Sequence, residues 1–212
     1  MKMCTTTLFP LFLLCVFTSY LPSTSADGMV VDTKGENVTY WGQYYIIPLE
    51  RDPFSGGGAD ITTTGNETCP LTVIQSYNGF SDGQPLRFSS DYRRSPFLLE
   101  GDYFDIRLPG YLSCTTVFPL KWTVLAEDVE SGVLYVKIKG YDNTIDGFFK
   151  TKSDPDHKGG YNLFFCDYDD ECSYLTVKVD DDKSRLLVFT KSDKNRLVIQ
   201  FKNSKRELKA TA

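Results

Sequence analysis

Two adjacent arginines stand in the run Ser89-Ser90-Asp91-Tyr92-Arg93-Arg94-Ser95-Pro96 of a chain that is otherwise acidic. A guanidinium is a flat fork of N–H donors that meets a carboxylate through two parallel hydrogen bonds, so this pair is suited to an anionic pocket on another molecule. The serines and aspartate before it favour a turn, and Pro96 keeps the residue ahead of it extended. Taken alone, the run reads first as a solvated basic turn.

The other candidate chemistries fail on context. Gly79-Phe80-Ser81-Asp82-Gly83 has the spacing of a nucleophile elbow, but that device needs a helix after the serine, and Gln84-Pro85-Leu86-Arg87-Phe88 reads as extended chain. Its only available base is His157, in the loop-like stretch Ser153-Asp154-Pro155-Asp156-His157-Lys158-Gly159-Gly160, which shows no sign of burial. A plain Gly-Asp turn is expected. Asp167, Asp169, Asp170 and Glu171, and further on Asp180, Asp181 and Asp182, lack the glycine of a calcium-binding loop and are expected to be solvated turns. No pair of carboxylates is nominated for glycoside hydrolysis, and neither Trp41 nor Trp122 has the Gln two residues earlier that marks a sugar-binding trefoil. The expectation is a protein that is not an enzyme, with no catalytic residues, no cofactor and no metal.

Residues 1–26 carry one lysine, an apolar stretch from Leu8 to Phe17 and a small-residue Thr24-Ser25-Ala26 end, the pattern of a secretory signal peptide. Residues 27–212 then suit a single domain, with a frayed tail near 203–212. Losing Lys2 with the leader takes the net charge from -5 to -6, which argues against nucleic-acid or anionic-membrane partners and for a secreted monomer. The extracellular space, the apoplast in a plant, is the expected location. The vacuole is the alternative if the tail, with Lys202, Lys205, Arg206 and Lys209, is a sorting peptide. Outside the leader there are four cysteines, Cys69, Cys114, Cys166 and Cys172, an even number that suits two disulfides in an oxidising compartment. Three pairings are open, and the short gap in "CDYDDEC" favours Cys166 with Cys172. Asn37-Val38-Thr39 and Asn66-Glu67-Thr68 are glycan acceptor sequons and imply exposed loops.

Short runs of β-branched and aromatic residues, among them "YYIIPL", "PLTVIQ", "YFDIRL", "LKWTVL", "VLYVKIK", "LTVKV", "RLLVFT" and "RLVIQF", recur between turn residues, and no long run has a helical apolar period. The chain is therefore all-β. Three marks recur in one order. Gly-x-Tyr-x-x-(Ile/Phe) begins at Gly42, Gly101 and Gly159, spaced by 59 and 58 residues. "LTV" at 71, "WTV" at 122 and "LTV" at 175 follow, then "PLRFS" at 85, "VLYVK" at 133 and "RLLVF" at 185. Three similar four-stranded units imply a β-trefoil, a six-stranded barrel with a hairpin cap, whose closure removes sheet edges.

The stretch "VVDTKGENVTYWGQYYIIP", with Asp32, Gly35, Val38 and Tyr44 in place, resembles the signature of the plant Kunitz-type trypsin inhibitors. "GNETCPLTVIQS", "VFPLKWTV", "DGFFK", "YNLFFC" and "VDDDKSRLLVF" continue the resemblance along the chain. It implies a β-trefoil with disulfides Cys69 to Cys114 and Cys166 to Cys172, and a substrate-like loop that enters the active site of a trypsin-like serine endopeptidase. The family's Ser-Ser-Pro-Tyr-Arg loop falls on Ser89 to Arg93, which assigns the reactive-site loop to Ser90, Asp91, Tyr92, Arg93, Arg94 and Ser95, with Arg93 as the anchor. A Cys69 to Cys114 bridge closes about 46 residues around Arg93, worth roughly 4 kcal/mol in the chain-entropy description, and tethers the pieces after a cut. Three departures stand out. The stretch from Ser89 to Gly101 is one residue longer than the common form, leaving the scissile bond as Arg93-Arg94 or Arg94-Ser95. Arg94 itself is unusual after the anchor. The asparagine that supports the loop in many relatives is replaced by Tyr40, making Tyr40 the candidate loop support, with a glycan at Asn37 close by in sequence. The alternatives are a partner of another class, such as a cysteine protease or a serine carboxypeptidase, met through a different loop, or a non-inhibitory storage protein.

Overall fold

Alternation of apolar and polar residues sets the strands. In β13 (Val198–Asn203), Ile199 and Phe201 point inward and are fully buried while their neighbours are partly exposed. The computed structural model describes residues 28–205 except 54, 129–131 and 139–140, so the expected leader lies outside the described residues. Those described form thirteen strands and no α-helix. No helix among them is long and apolar enough to cross a membrane.

The strands sort into three units by pairing. The first holds β1 (Tyr44–Pro48), β2 (Ala59–Thr62), β3 (Thr72–Gln75) and β4 (Arg87–Ser89). The second holds β5 (Asp105–Arg107), β6 (Trp122–Asp128), β7 (Val133–Ile138), the short β8 (Thr144–Ile145) and β9 (Phe148–Ser153). The third holds β10 (Tyr161–Cys166), β11 (Cys172–Val179), β12 (Arg185–Thr190) and β13. Six strands, the first and last of each unit, close a ring of antiparallel neighbours. β1 pairs with β13, β13 with β10, β10 with β9 and β4 with β5. Single bridges complete it, from Phe104, just before β5, to Phe149 of β9 and from Leu86, just before β4, to Tyr44 of β1. The hairpins β2–β3, β6–β7 and β11–β12 cap one end, and β3, β7 and β12 pair with one another across the middle. This is a β-trefoil.

One ring from each unit meets in the barrel core: Phe88 lies 5.4 Å from both Phe104 and Phe201, edge to face, and all three are buried. Burying a ring of this size stabilises by roughly 2 to 3 kcal/mol, so the core holds the three units to one another.

The structure corrects the repeat reading at one point. The Gly-x-Tyr mark opens β1, β5 and β10, the same strand of each unit. The next two marks fall on the second and third strands of units two and three, but on β3 and β4 of unit one. Runs such as Leu-Thr-Val suit any half-buried strand, so they do not tell second from third. Asn203 ends β13 and the Ser204 N–H donates to the Gln43 carbonyl at 2.9 Å, and the rest of the expected tail, from 206 on, lies outside the described residues.

Candidate functional site

The chain leaves the barrel at Ser89 and re-enters it at Asp105, and residues 90–96 project from that connection. Two serines shape the projection. Ser90 Oγ accepts the Tyr92 N–H at 3.2 Å, and Ser95 Oγ accepts the Phe97 N–H at 3.0 Å, the local bond that serine offers the backbone two residues on. Between them Asp91, Tyr92, Arg93 and Arg94 are exposed. Neither arginine has a carboxylate partner among the described residues. The Arg93 guanidinium instead lies over the ring of Trp41, 5.5 Å from its centroid, and Trp41 is itself 62% exposed.

The return leg is clamped between two stretches of the N-terminal segment. On one side the Tyr40 N–H donates to the Pro96 carbonyl at 3.3 Å and the Leu98 N–H to Val38 at 2.8 Å. On the other the Val30 N–H donates to Leu98 at 3.0 Å and the Glu100 N–H to Gly28 at 2.8 Å. Leu98, fully buried, pins the middle. Beyond it the Glu100 carboxylate accepts both the N–H and the hydroxyl of Ser153, and Gly101 turns with φ near 80°, a left-handed conformation that suits glycine.

Tyr40 is buried at the base of this leg, and its hydroxyl donates to Asp102 Oδ2 at 3.2 Å. Burial, reinforced by the Asp102 carboxylate, holds its phenol well above the usual tyrosine range, with the Arg93 charge opposing. Tyr40 therefore reaches Pro96 and Asp102. Among the described residues no hydrogen bond runs from it to residues 90–95.

The Cys69–Cys114 bridge, with Cα atoms 5.6 Å apart, encloses the whole projection. Cys166–Cys172, with Cα atoms 4.0 Å apart, joins the paired ends of β10 and β11. Their two sulfurs are bonded to each other, so the nearby Asp170 makes no metal site with them. Asn37 and Asn66 are both exposed.

Ser81 and His157 serve other ends. The Ser81 hydroxyl accepts the Gly83 N–H at 3.2 Å, and Asp82 is paired with Arg51 and Lys202. His157 Nδ1 meets Asp154 at 2.8 Å, and Asp154, contrary to the reading of its loop as unburied, is only 5% exposed. It turns inward to take hydrogen bonds from Asn162 and Arg196. Two contacts to the loop carried no signal in the sequence beyond residue type: Trp41 under Arg93, and Phe148 beside Tyr92 with ring centroids 6.2 Å apart. An aromatic next to the candidate support Tyr40 was the only available hint of the first.

A β-trefoil that presents an unpaired arginine on a clamped, disulfide-enclosed loop has the form of a substrate-like inhibitor. The sequence model of the legume Kunitz group, described as trypsin and protease inhibitor, matches residues 30–203, and the chain belongs to that family. Trypsin inhibitor A of Glycine max is 37% identical over 181 residues, spanning 82% of this chain and 80% of its own. Kunitz-type trypsin inhibitor KTI1 of the same plant is 35% identical over 180 residues, with 82% and 85% covered. Among solved structures, soybean trypsin inhibitor superposes with a TM-score of 0.72 at 31% identity, over 83% of this chain and 99% of that one. A complex of porcine pancreatic trypsin with soybean trypsin inhibitor matches at 0.70 and 29%, over 84% and 99%.

Proposed function

We propose that this protein is a secreted inhibitor of trypsin-like serine endopeptidases and that residues 90–95 are its reactive-site loop, with Arg93 as the anchor. The observation that carries this reading is the pairing of an exposed, carboxylate-free Arg93 with a return leg held by four backbone hydrogen bonds. Relatives named as trypsin inhibitors and a trypsin complex of one of them support the choice of target.

The mechanism follows from the parts. The guanidinium enters a pocket ending in a carboxylate, where two charge-assisted hydrogen bonds form out of water. A loop already ordered loses little entropy on docking, so most of the contact energy appears as affinity. If the protease cuts the loop, the clamped return leg keeps one new end in place, and the Cys69–Cys114 bridge keeps the two pieces in one molecule. Religation then competes with release.

The test is titration of trypsin with the purified protein, followed over time by mass spectrometry. Stoichiometric inhibition with slow cleavage at one bond, Arg93-Arg94 or Arg94-Ser95, is the expected result and fixes the register. Rapid cleavage without inhibition would refute the reading. The same digest, analysed for glycopeptides, shows whether Asn37 and Asn66 are modified.

A further inference from the structure

The tip of the loop owes its order to side chains. Residues 91–94 make one described hydrogen bond, the serine turn at Tyr92, and they also make two aromatic contacts, one from Arg93 and one from Tyr92. Arg93 rests on Trp41. That contact must break when the guanidinium enters a protease pocket, so it cannot order the loop in the complex. The other contact can persist. Tyr92 meets Phe148 edge to face, with an interplanar angle of 86°.

Phe148 is itself braced from two sides. Tyr103 packs on it at 5.2 Å and Tyr168 meets it edge to face at 5.5 Å, and with Tyr92 and Asp167 these rings line a recess of about 250 Å³. Each brace is fixed to the scaffold. Phe148 begins β9 and lies opposite Cys166 in the β9–β10 pairing. Tyr168 sits in the short loop closed by Cys166–Cys172. Tyr103 carries the Lys150 ammonium over its face at 4.3 Å, and Lys150 is paired with Asp170 of the same loop. The second disulfide is thereby connected to the tip of the reactive loop through rings alone.

We propose that Phe148, held by Tyr103 and Tyr168, is the positioning residue of the reactive-site loop: it fixes Tyr92, and through Tyr92 the backbone of Arg93, in the form that resists cleavage. The inference rests on the inhibitory reading above. Tyr40, at the position of the supporting side chain, bonds to Pro96 and Asp102 and leaves this task open. An edge-to-face pair of this kind shifts a conformational population by severalfold to roughly tenfold.

The test compares wild type, Phe148→Ala, Phe148→Tyr and Tyr168→Ala with trypsin, reading the inhibition constant, the rate of cleavage after Arg93 or Arg94, and the melting temperature. Phe148→Ala is expected to be cleaved about tenfold faster and to lose inhibition with time. Phe148→Tyr should behave as wild type and Tyr168→Ala should fall between. If Phe148→Ala fails to melt cooperatively, Tyr168→Ala, at a site 72% exposed, carries the comparison. A folded variant cut at the wild-type rate overturns the proposal. So does weaker inhibition at an unchanged cleavage rate, which would mean that the rings touch the protease itself. Should wild type be a plain substrate, the inhibitory reading fails, yet the ratio of cleavage rates still decides whether Phe148 orders the loop.

Discussion

Arg93 and Arg196 are the same residue type in two opposite situations. Arg196 donates from Nε to Asp154 at 2.8 Å and from Nη2 to Asp156 at 2.7 Å, and these two carboxylates push its already high pKa higher still. Burial alone would raise the Asp154 carboxyl, but hydrogen bonds from Arg196, His157 and Asn162 outweigh it and hold the group well below the usual carboxylate range. Arg93 is exposed, lies over a ring and has no carboxylate partner among the described residues. An arginine that the chain has already satisfied holds the fold together, while one left without a carboxylate remains available to another molecule. The distinction lies in the partners, and neither residue's immediate sequence reveals it.

Replacing Arg93 by Ala tests one side of that contrast and should give the largest effect: weaker trypsin inhibition by about a thousandfold, the scale of a central anchor, with an unchanged melting temperature. Equal inhibition by the variant would move the anchor to Arg94. Asp154→Asn tests the other side. It should lower the melting temperature by roughly 10 °C and leave inhibition as it was. Calorimetry across pH sharpens this further. The folded Asp154 stays ionised to lower pH than the unfolded one, so its contribution is complete above about pH 4 and is lost as the pH falls below that, and the variant should show a flatter acid limb. Trp41→Ala is the smallest probe. Removing one exposed cation–π contact should change the inhibition constant by no more than about fivefold, and a larger loss would mean that Trp41 belongs to the docking surface.

The barrel was legible because its signal is periodic and local. Turn residues bracket each strand, and the Gly-x-Tyr mark opens the first strand of every unit. The exposed turn that carries the two arginines was legible through its serines, which act on the backbone two residues away. What stayed hidden depends on distant residues. The clamp on the return leg joins 28–40 to 96–100, the Phe148 contact joins β9 to a loop more than fifty residues earlier, and the inward turn of Asp154, just after β9, needs Arg196, just before β13. Side chains that meet only after folding leave no spacing to read. The offset of the second and third repeat marks in unit one has the opposite cause: too many segments fit the same local pattern.

The pairing of β1 with β13 has a consequence in time. Every residue of 44–48 is paired with one at 199–203, and the cap strand β3, already paired with β2, gains Leu186 of β12 as a further partner. A chain emerging from the ribosome therefore cannot close its barrel until residues 199–203 have been made, and such long-range pairing is slow. Throughout that interval Arg93 and Arg94 lie on an unfastened strand, no different from any cleavable basic site. A product truncated before β13 would lack the strand that fastens β1, and with it the closed barrel from which the arginine loop projects.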